Sequence, residues 1–160
     1  MIKLYFISFS ALFSLYTFSD EGIFGYWLTS GSIVKIENCS NAVCGKIVTI
    51  FVDDGVDPKS ILDDNNKNKS LRKRTLVGID LLSEFKIKDD KQKTFKGGKI
   101  YDPRSGNTYK SNLYLDEEGD LKVEGCLAFI CDGEKWQSLI VSTNEDGTME
   151  AVLKNSLQSN

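Results

Sequence analysis

Residues 94–115 read TFKGGKIYDPRSGNTYKSNLYL, two runs of mixed apolar and polar residues around the centre Asp102-Pro103-Arg104-Ser105-Gly106-Asn107. Pro103 fixes φ and Gly106 is free to take positive φ, so this centre predicts a reverse turn. Beyond it, Tyr109, Leu113 and Leu115 recur with the period of a strand and share one face. The segment therefore predicts two antiparallel strands joined by a tight connection. Gly97-Gly98 within the first run is not a phosphate loop, because no Lys-Ser/Thr pair follows at the required spacing. Two glycines inside a strand mark a bulge or a bend.

The same pattern repeats outward in both directions. Residues 24–28, 32–37 and 44–52 predict three strands, with Val34 and Ile36 on one face of the second. The stretch 53–69 carries Asp-Gly, Asp-Pro and Asn-Asn pairs and predicts a solvated loop with one short helical turn near 60–63. Apolar character resumes over 76–87, and further strands are expected over 121–130, 135–142 and 148–153, separated by turns that contain Gly119 and Gly147. The fold class that follows is all-β: a small antiparallel up-and-down β-barrel of about eight strands, since closure removes exposed edges.

The N-terminus is of a different kind. Lys3 precedes an uncharged apolar run, residues 4–18, that ends in small or hydroxylated residues before Asp20 and Glu21. This is the plan of a cleaved export signal rather than a spanning helix, which needs about 20 apolar residues. Thr17 and Ser19 suit the peptidase positions, so residues 1–19 are expected to leave and residues 20–160 to form one domain. A retained anchor is the alternative reading. The formal charge of -3 is mildly acidic, which argues against nucleic acid as a partner. No second apolar run of spanning length follows it, so an integral membrane protein is not expected.

Four cysteines fall in two pairs of identical spacing, Cys39 with Cys44 and Cys126 with Cys131. In an exported chain an even number of cysteines points to disulfides, and the two local pairings are favoured because each brackets a short stretch that can bring the two ends together. A four-thiolate zinc site is the rival, and a redox dithiol is disfavoured because the spacing is not Cys-x-x-Cys.

Several blocks taken together resemble a known family: Gly25-Tyr26-Trp27, Val34-Lys35-Ile36-Glu37 with Cys39, Cys44-Gly45-Lys46-Ile47, Asp64-Asn65-Asn66 leading to Leu71-Arg72-Lys73-Arg74, Gly98-Lys99-Ile100-Tyr101-Asp102-Pro103, and Leu121-Lys122-Val123-Glu124-Gly125-Cys126 with Cys131 and Trp136. The family is domain of unknown function 2147, and the resemblance runs over nearly all of the chain after residue 19. It implies an exported bacterial protein with a lipocalin-like β-barrel and an activity that is not established. Two positions depart from the family pattern: Lys67, where a proline usually follows the Asn pair, and Gln137-Ser138, where a basic residue usually follows the late Trp. In lipocalin-like barrels an arginine often packs over the Trp of the Gly-x-Trp motif. Here Arg72, Arg74 or Lys135 stands in for it, or that end is closed in another way.

The chain contains no histidine, which removes Ser-His-Asp and Cys-His triads and most zinc or haem sites. No catalytic constellation, cofactor motif or metal site is expected, and the Asp53-Asp54 and Asp63-Asp64-Asn65-Asn66 runs lack the spacing of an EF-hand. The candidate ligand-binding residues are the aromatics Trp27, Tyr101, Tyr109 and Trp136, the turn carboxylate Asp102, and the basic pair Arg72 and Arg74. The functional expectation is a non-enzymatic periplasmic or secreted protein that binds a small hydrophobic or amphipathic molecule. The alternative is an envelope scaffold that contacts a protein or glycan through the loop 53–69.

Overall fold

A computed structural model describes residues 22–89, 91–145 and 148–157; the expected export signal, residues 1–19, lies outside them. Nine strands follow one another: β1 (Gly25–Leu28), β2 (Ser32–Asn38), β3 (Ala42–Ile50), β4 (Asp80–Lys86), β5 (Thr94–Asp102), β6 (Asn107–Leu115), β7 (Leu121–Leu127), β8 (Ile130–Thr143) and β9 (Met149–Leu153). Each pairs antiparallel with its neighbour in sequence, and β1 also pairs with β8 through Tyr26–Leu139, Trp27–Ser138 and Leu28–Gln137. Eight strands thus close into a barrel, as the turn pattern predicts. Leu139 pairs with Tyr26 on one side and with Leu153 on the other. The ninth strand therefore continues along the edge of β8 that β7 occupies further back.

Up-and-down order sends alternate connections to opposite ends. One end carries the β2–β3, β4–β5 and β6–β7 turns and is filled by Trp27, Val34, Phe85, Phe95, Leu113 and Leu121, all buried. Trp27 Nε1 donates to the Ile23 carbonyl at 2.9 Å. Ile23 itself is buried, so the segment entering β1 closes this end. Of the two alternatives the sequence leaves open, a basic residue over Trp27 or an end closed in another way, the structure shows the second. Among the described residues the cations over rings are Lys35 at Tyr26, Arg74 at Tyr101 and Lys122 at Tyr114, while Lys135 faces outward and ties Asp116, Glu118 and Asp120 of the β6–β7 turn at 3.0–3.2 Å.

The glycine pair does mark a bulge. The β5–β6 register slips between Lys96 and Gly98, and Gly97 has φ +77°. Gly98 is also a close-approach position, because a Cβ there would lie 2.3 Å from the Phe85 ring.

Three expectations are corrected. The run 121–130 is not one strand: it turns at Ala128-Phe129, where Ala128 takes φ 55°, and β8 starts at Ile130. The segment 76–79 is a turn leading into β4 rather than part of it. The short helical turn of the long loop is at Pro58–Ser60, capped by Asp57, with a second at Lys69–Leu71 capped by Asn68. The cysteines pair locally, Cys39 with Cys44 and Cys126 with Cys131. Because one bridge sits at each end of the barrel, the two pairs do not converge on a common metal.

Candidate functional site

The other end of the barrel is open. It is framed by the β1–β2, β5–β6 and β7–β8 turns and by the long β3–β4 loop, and two adjoining hollows occupy it. One, of about 450 Å³, is lined by Ile100, Tyr109, Val123, Gly125, Leu127 and Ile130, together with Asp102, Asp132 and Glu134. The other, of about 330 Å³, reaches Ile47, Ile50, Leu76 and Trp136. Ile100, Asp102, Arg104 and Glu134 border both, so the hollows form one cup whose floor is the packed core.

Strand alternation explains the lining. In β8, Ile130, Asp132, Glu134 and Trp136 point to the same side, and their partners in β7 are Leu127, Gly125, Val123 and Leu121. Trp136 is buried at the base, where its Nε1 donates to Glu134 Oε1 at 2.6 Å. Gly125 leaves room: a Cβ there would make only ordinary contact, 3.4 Å from Ile100 Cγ2. The β7–β8 hairpin stands at the rim, stapled by Cys126–Cys131, and its tip residue Phe129 is 92% exposed.

Asp102 caps the β5–β6 turn. Its carboxylate accepts from Arg104 N at 3.1 Å, Arg104 Nε at 3.2 Å and Ser105 Oγ at 2.8 Å. Burial pushes this carboxyl up, but the Ser105 and Arg104 hydrogen bonds outweigh that and hold it below the usual carboxylate range. Tyr109 OH lies 3.4 Å from Ser105 Oγ and accepts from Asn107 Nδ2 at 3.3 Å.

The long loop buttresses this turn from outside. Asp63 is 1% exposed and accepts from Tyr101 OH (2.5 Å), Asn66 Nδ2 (2.7 Å) and Arg74 (Nε 2.9 Å, Nη2 2.8 Å). Burial pushes the Asp63 carboxyl up, yet these three donors pull it below its ordinary value. The Tyr101 hydroxyl is pushed up to about 12, by burial first and by the Asp63 carboxylate second. Asn65 Nδ2 reaches the Pro103 carbonyl at 3.4 Å, and a Cβ on Gly106, which has φ +67°, would lie 1.8 Å from the Asn65 carbonyl oxygen. The loop is therefore not merely solvated: it buries Asp63 and Asn66 as a polar strap on the β5–β6 corner.

Of the residues singled out from the sequence, Asp102, Tyr109 and Trp136 line the cup, and Tyr101 borders its second hollow while its hydroxyl serves Asp63. Trp27 lies in the filled half. Arg74 is held by Asp63, and Arg72 Nε donates to the Asn66 carbonyl at 2.8 Å, so the basic pair serves the strap and not the cup. Asp132 and Glu134 escaped the sequence reading, although the period of two from Ile130 to Trp136 places them on the Trp136 face. Among the described residues the carboxylate group that comes together elsewhere, Asp116, Glu118 and Asp120, surrounds Lys135.

A comparison with curated proteins gives no match. Among solved structures, the chain is similar to HP1028 from the human pathogen Helicobacter pylori, described as belonging to the lipocalin family. The TM-score is 0.61 at 23% identity, over 72% of this chain and 80% of that one. At that identity the likeness bears on fold alone, and it agrees with the closed eight-strand barrel. A family model described as "uncharacterized protein conserved in bacteria" matches residues 25–138, from the first strand of the barrel into the eighth, and the chain belongs to that family, domain of unknown function 2147.

Proposed function

We propose that this protein is an exported, non-enzymatic carrier that holds a small amphipathic molecule in the open cup of its barrel. The observation that carries the reading is the cup itself: apolar walls from Ile100, Val123, Leu127 and Ile130, with a few polar groups set among them. Small-molecule sites are commonly built this way, within about 300–1,000 Å³. The two local disulfides and the apolar N-terminal run support the export part of the proposal.

Native mass spectrometry of the protein recovered from its own cells tests the reading. A reproducible small-molecule adduct is expected, and Gly125→Leu, which places a side chain in the cup, is expected to abolish it while leaving the fold intact. A protein that carries no adduct, or an adduct that survives Gly125→Leu, would count against the cup as the site.

A second reading has one observation of its own. The long loop, polar in composition, leaves Phe51, Val56, Leu62 and Leu71 exposed, a surface that a protein or glycan partner could cover. Phe51→Ser with Val56→Ser would then remove a co-purifying partner without touching the adduct.

A further inference from the structure

The β7–β8 hairpin ends in Leu127-Ala128-Phe129-Ile130, an apolar run where a two-residue turn ordinarily takes Gly, Asn or Asp. Ala128 holds φ 55° there, a conformation that glycine adopts without the cost a Cβ brings. Turn chemistry therefore does not account for these residues. Burial does not either: Leu127 is 72% exposed, Phe129 92% and Ile130 67%, and β8 is exposed at every residue from Ile130 to Lys135. The end of the hairpin stands clear of the packed core, and the Cys126–Cys131 bridge directly behind it holds its two strands together. Three large apolar side chains are thus kept in water on a stapled arm, which is unfavourable unless something covers them.

Area and shape decide what covers them. At these exposures the three side chains offer roughly 400 Å² of apolar surface, about half of the ~800 Å² that each partner buries in a stable protein interface. A second copy of the chain, or another protein seated on the tip alone, is therefore poorly served. A bilayer needs no shaped partner surface, and it takes up a projecting apolar element to a depth of about 5–10 Å. The hairpin is built to that depth. Asp132, exposed, lies three residues back from Phe129, about 10 Å at the strand rise, and marks where headgroups and water begin. Phe51, also exposed, adds an apolar group at the same rim, where its N–H donates to the Gly31 carbonyl of the β1–β2 turn at 2.9 Å. That turn neighbours the hairpin, because β1 pairs with β8 in the closed barrel. The formal charge of -3 gives no general attraction to anionic lipid, so apolar insertion carries the contact.

We propose that the β7–β8 tip is a lipid-contact site that seats the open end of the barrel on a bilayer surface, with Phe129 the deepest residue and Leu127 and Ile130 beside it. Leu127 and Ile130 also line the cup, so a bilayer at the tip lies against the mouth. An amphipathic molecule then passes between bilayer and cup along apolar surface, without crossing water. That passage rests on the carrier reading above; the lipid contact itself does not.

Flotation of the protein recovered from its own cells with phosphatidylcholine vesicles, at low and at high salt, tests the proposal. The expected partition changes by less than about twofold with salt. Leu127→Ser with Phe129→Ser should lower it at least about tenfold, the scale set by taking one such side chain out of water, while circular dichroism stays that of the wild type. Met149→Ser with Val152→Ser, which removes exposed apolar groups from β9, should leave the partition unchanged, and so should Gly125→Leu, which fills the cup. In Phe129→Trp the added tryptophan emission should shift to the blue with vesicles and be quenched by brominated acyl chains. No partition, no loss in the Leu127/Phe129 variant, or an equal loss in the β9 variant overturns the tip as the contact. Binding confined to anionic vesicles and abolished by salt overturns it in favour of charge adsorption. A concentration-dependent dimer that the Leu127/Phe129 variant dissolves, without vesicle binding, makes a second copy the occupant and overturns the lipid. Partition lost in Gly125→Leu places the lipid in the cup, so the tip assignment falls and the carrier reading stands. Tip-dependent partition by a protein whose cup holds no adduct supports the lipid contact and counts against the carrier reading alone.

Discussion

Replacing Asp63 by alanine tests whether the long loop is held to the barrel as described. The substitution removes the acceptor for Tyr101, Asn66 and Arg74 at once. Breaking a buried ion pair by deleting one partner costs about 3–5 kcal/mol. The Arg74 side chain is 39% exposed and can turn to water, so the lower figure, about 3 kcal/mol, applies. With a urea slope of about 1.5 kcal/mol/M for a chain of this size, the midpoint should fall by about 2 M with the slope unchanged. Asp63→Asn, which keeps an oxygen for Tyr101 but loses the charge, should cost about half as much. The sign of the pH dependence follows from the depressed Asp63 carboxyl. Its contribution is present above the unfolded-state value, about 3.9, and is lost as pH falls through the lower folded value. The gap between wild type and Asp63→Ala should therefore close in acid. A midpoint that moves by less than about 0.3 M at pH 7, or a gap that persists unchanged in strong acid, would refute the strap.

Other outcomes follow from the same geometry. Gly106→Ala, whose Cβ would fall 1.8 Å from the Asn65 carbonyl oxygen at φ +67°, should destabilise by at least about 2 kcal/mol in the same urea assay. Ultraviolet titration should show one tyrosine, Tyr101, ionising only near pH 12. Because its folded pKa is raised, the stability it contributes is complete below about pH 10 and is lost as pH rises through 12; Asp63→Ala should bring its ionisation down. Removing the rim disulfide as Cys126→Ser with Cys131→Ser should cost about 2 kcal/mol by loop entropy, read as a midpoint shift with the barrel retained by circular dichroism. Phe129→Ser should leave stability within about 0.5 kcal/mol, since that ring is 92% exposed.

Most of the barrel was legible because its turns announce themselves. Asp102-Pro103 with Gly106 marks the β5–β6 corner by turn chemistry, and alternation in 107–115 fixes which side chains face the core. The β7–β8 corner was hidden, since Leu127-Ala128-Phe129-Ile130 is an apolar run without a turn residue. The clue was the cysteine pair that brackets it, as Cys126 and Cys131 are direct cross-strand partners. The strap was hidden for another reason: Asp63 and Tyr101 are 38 residues apart, and local composition around Asp63 reads as a solvated loop. Asp132 and Glu134 stand exposed at the rim of the cup, and local composition does not show that a hollow lies beside them. The period of two sets them on the face of Trp136, and the closure of β8 against β7 and β1 shows which side of the barrel that face is.

The cup is the centre of this account, and a crystal structure of the protein recovered from its own cells tests it most directly. The account predicts density for a small molecule between Ile100, Val123 and Trp136. Density seated instead in the 620 Å³ hollow beside Gly25, Lys35 and Ile140, or a cup entered by a neighbouring side chain of the barrel itself, would contradict it.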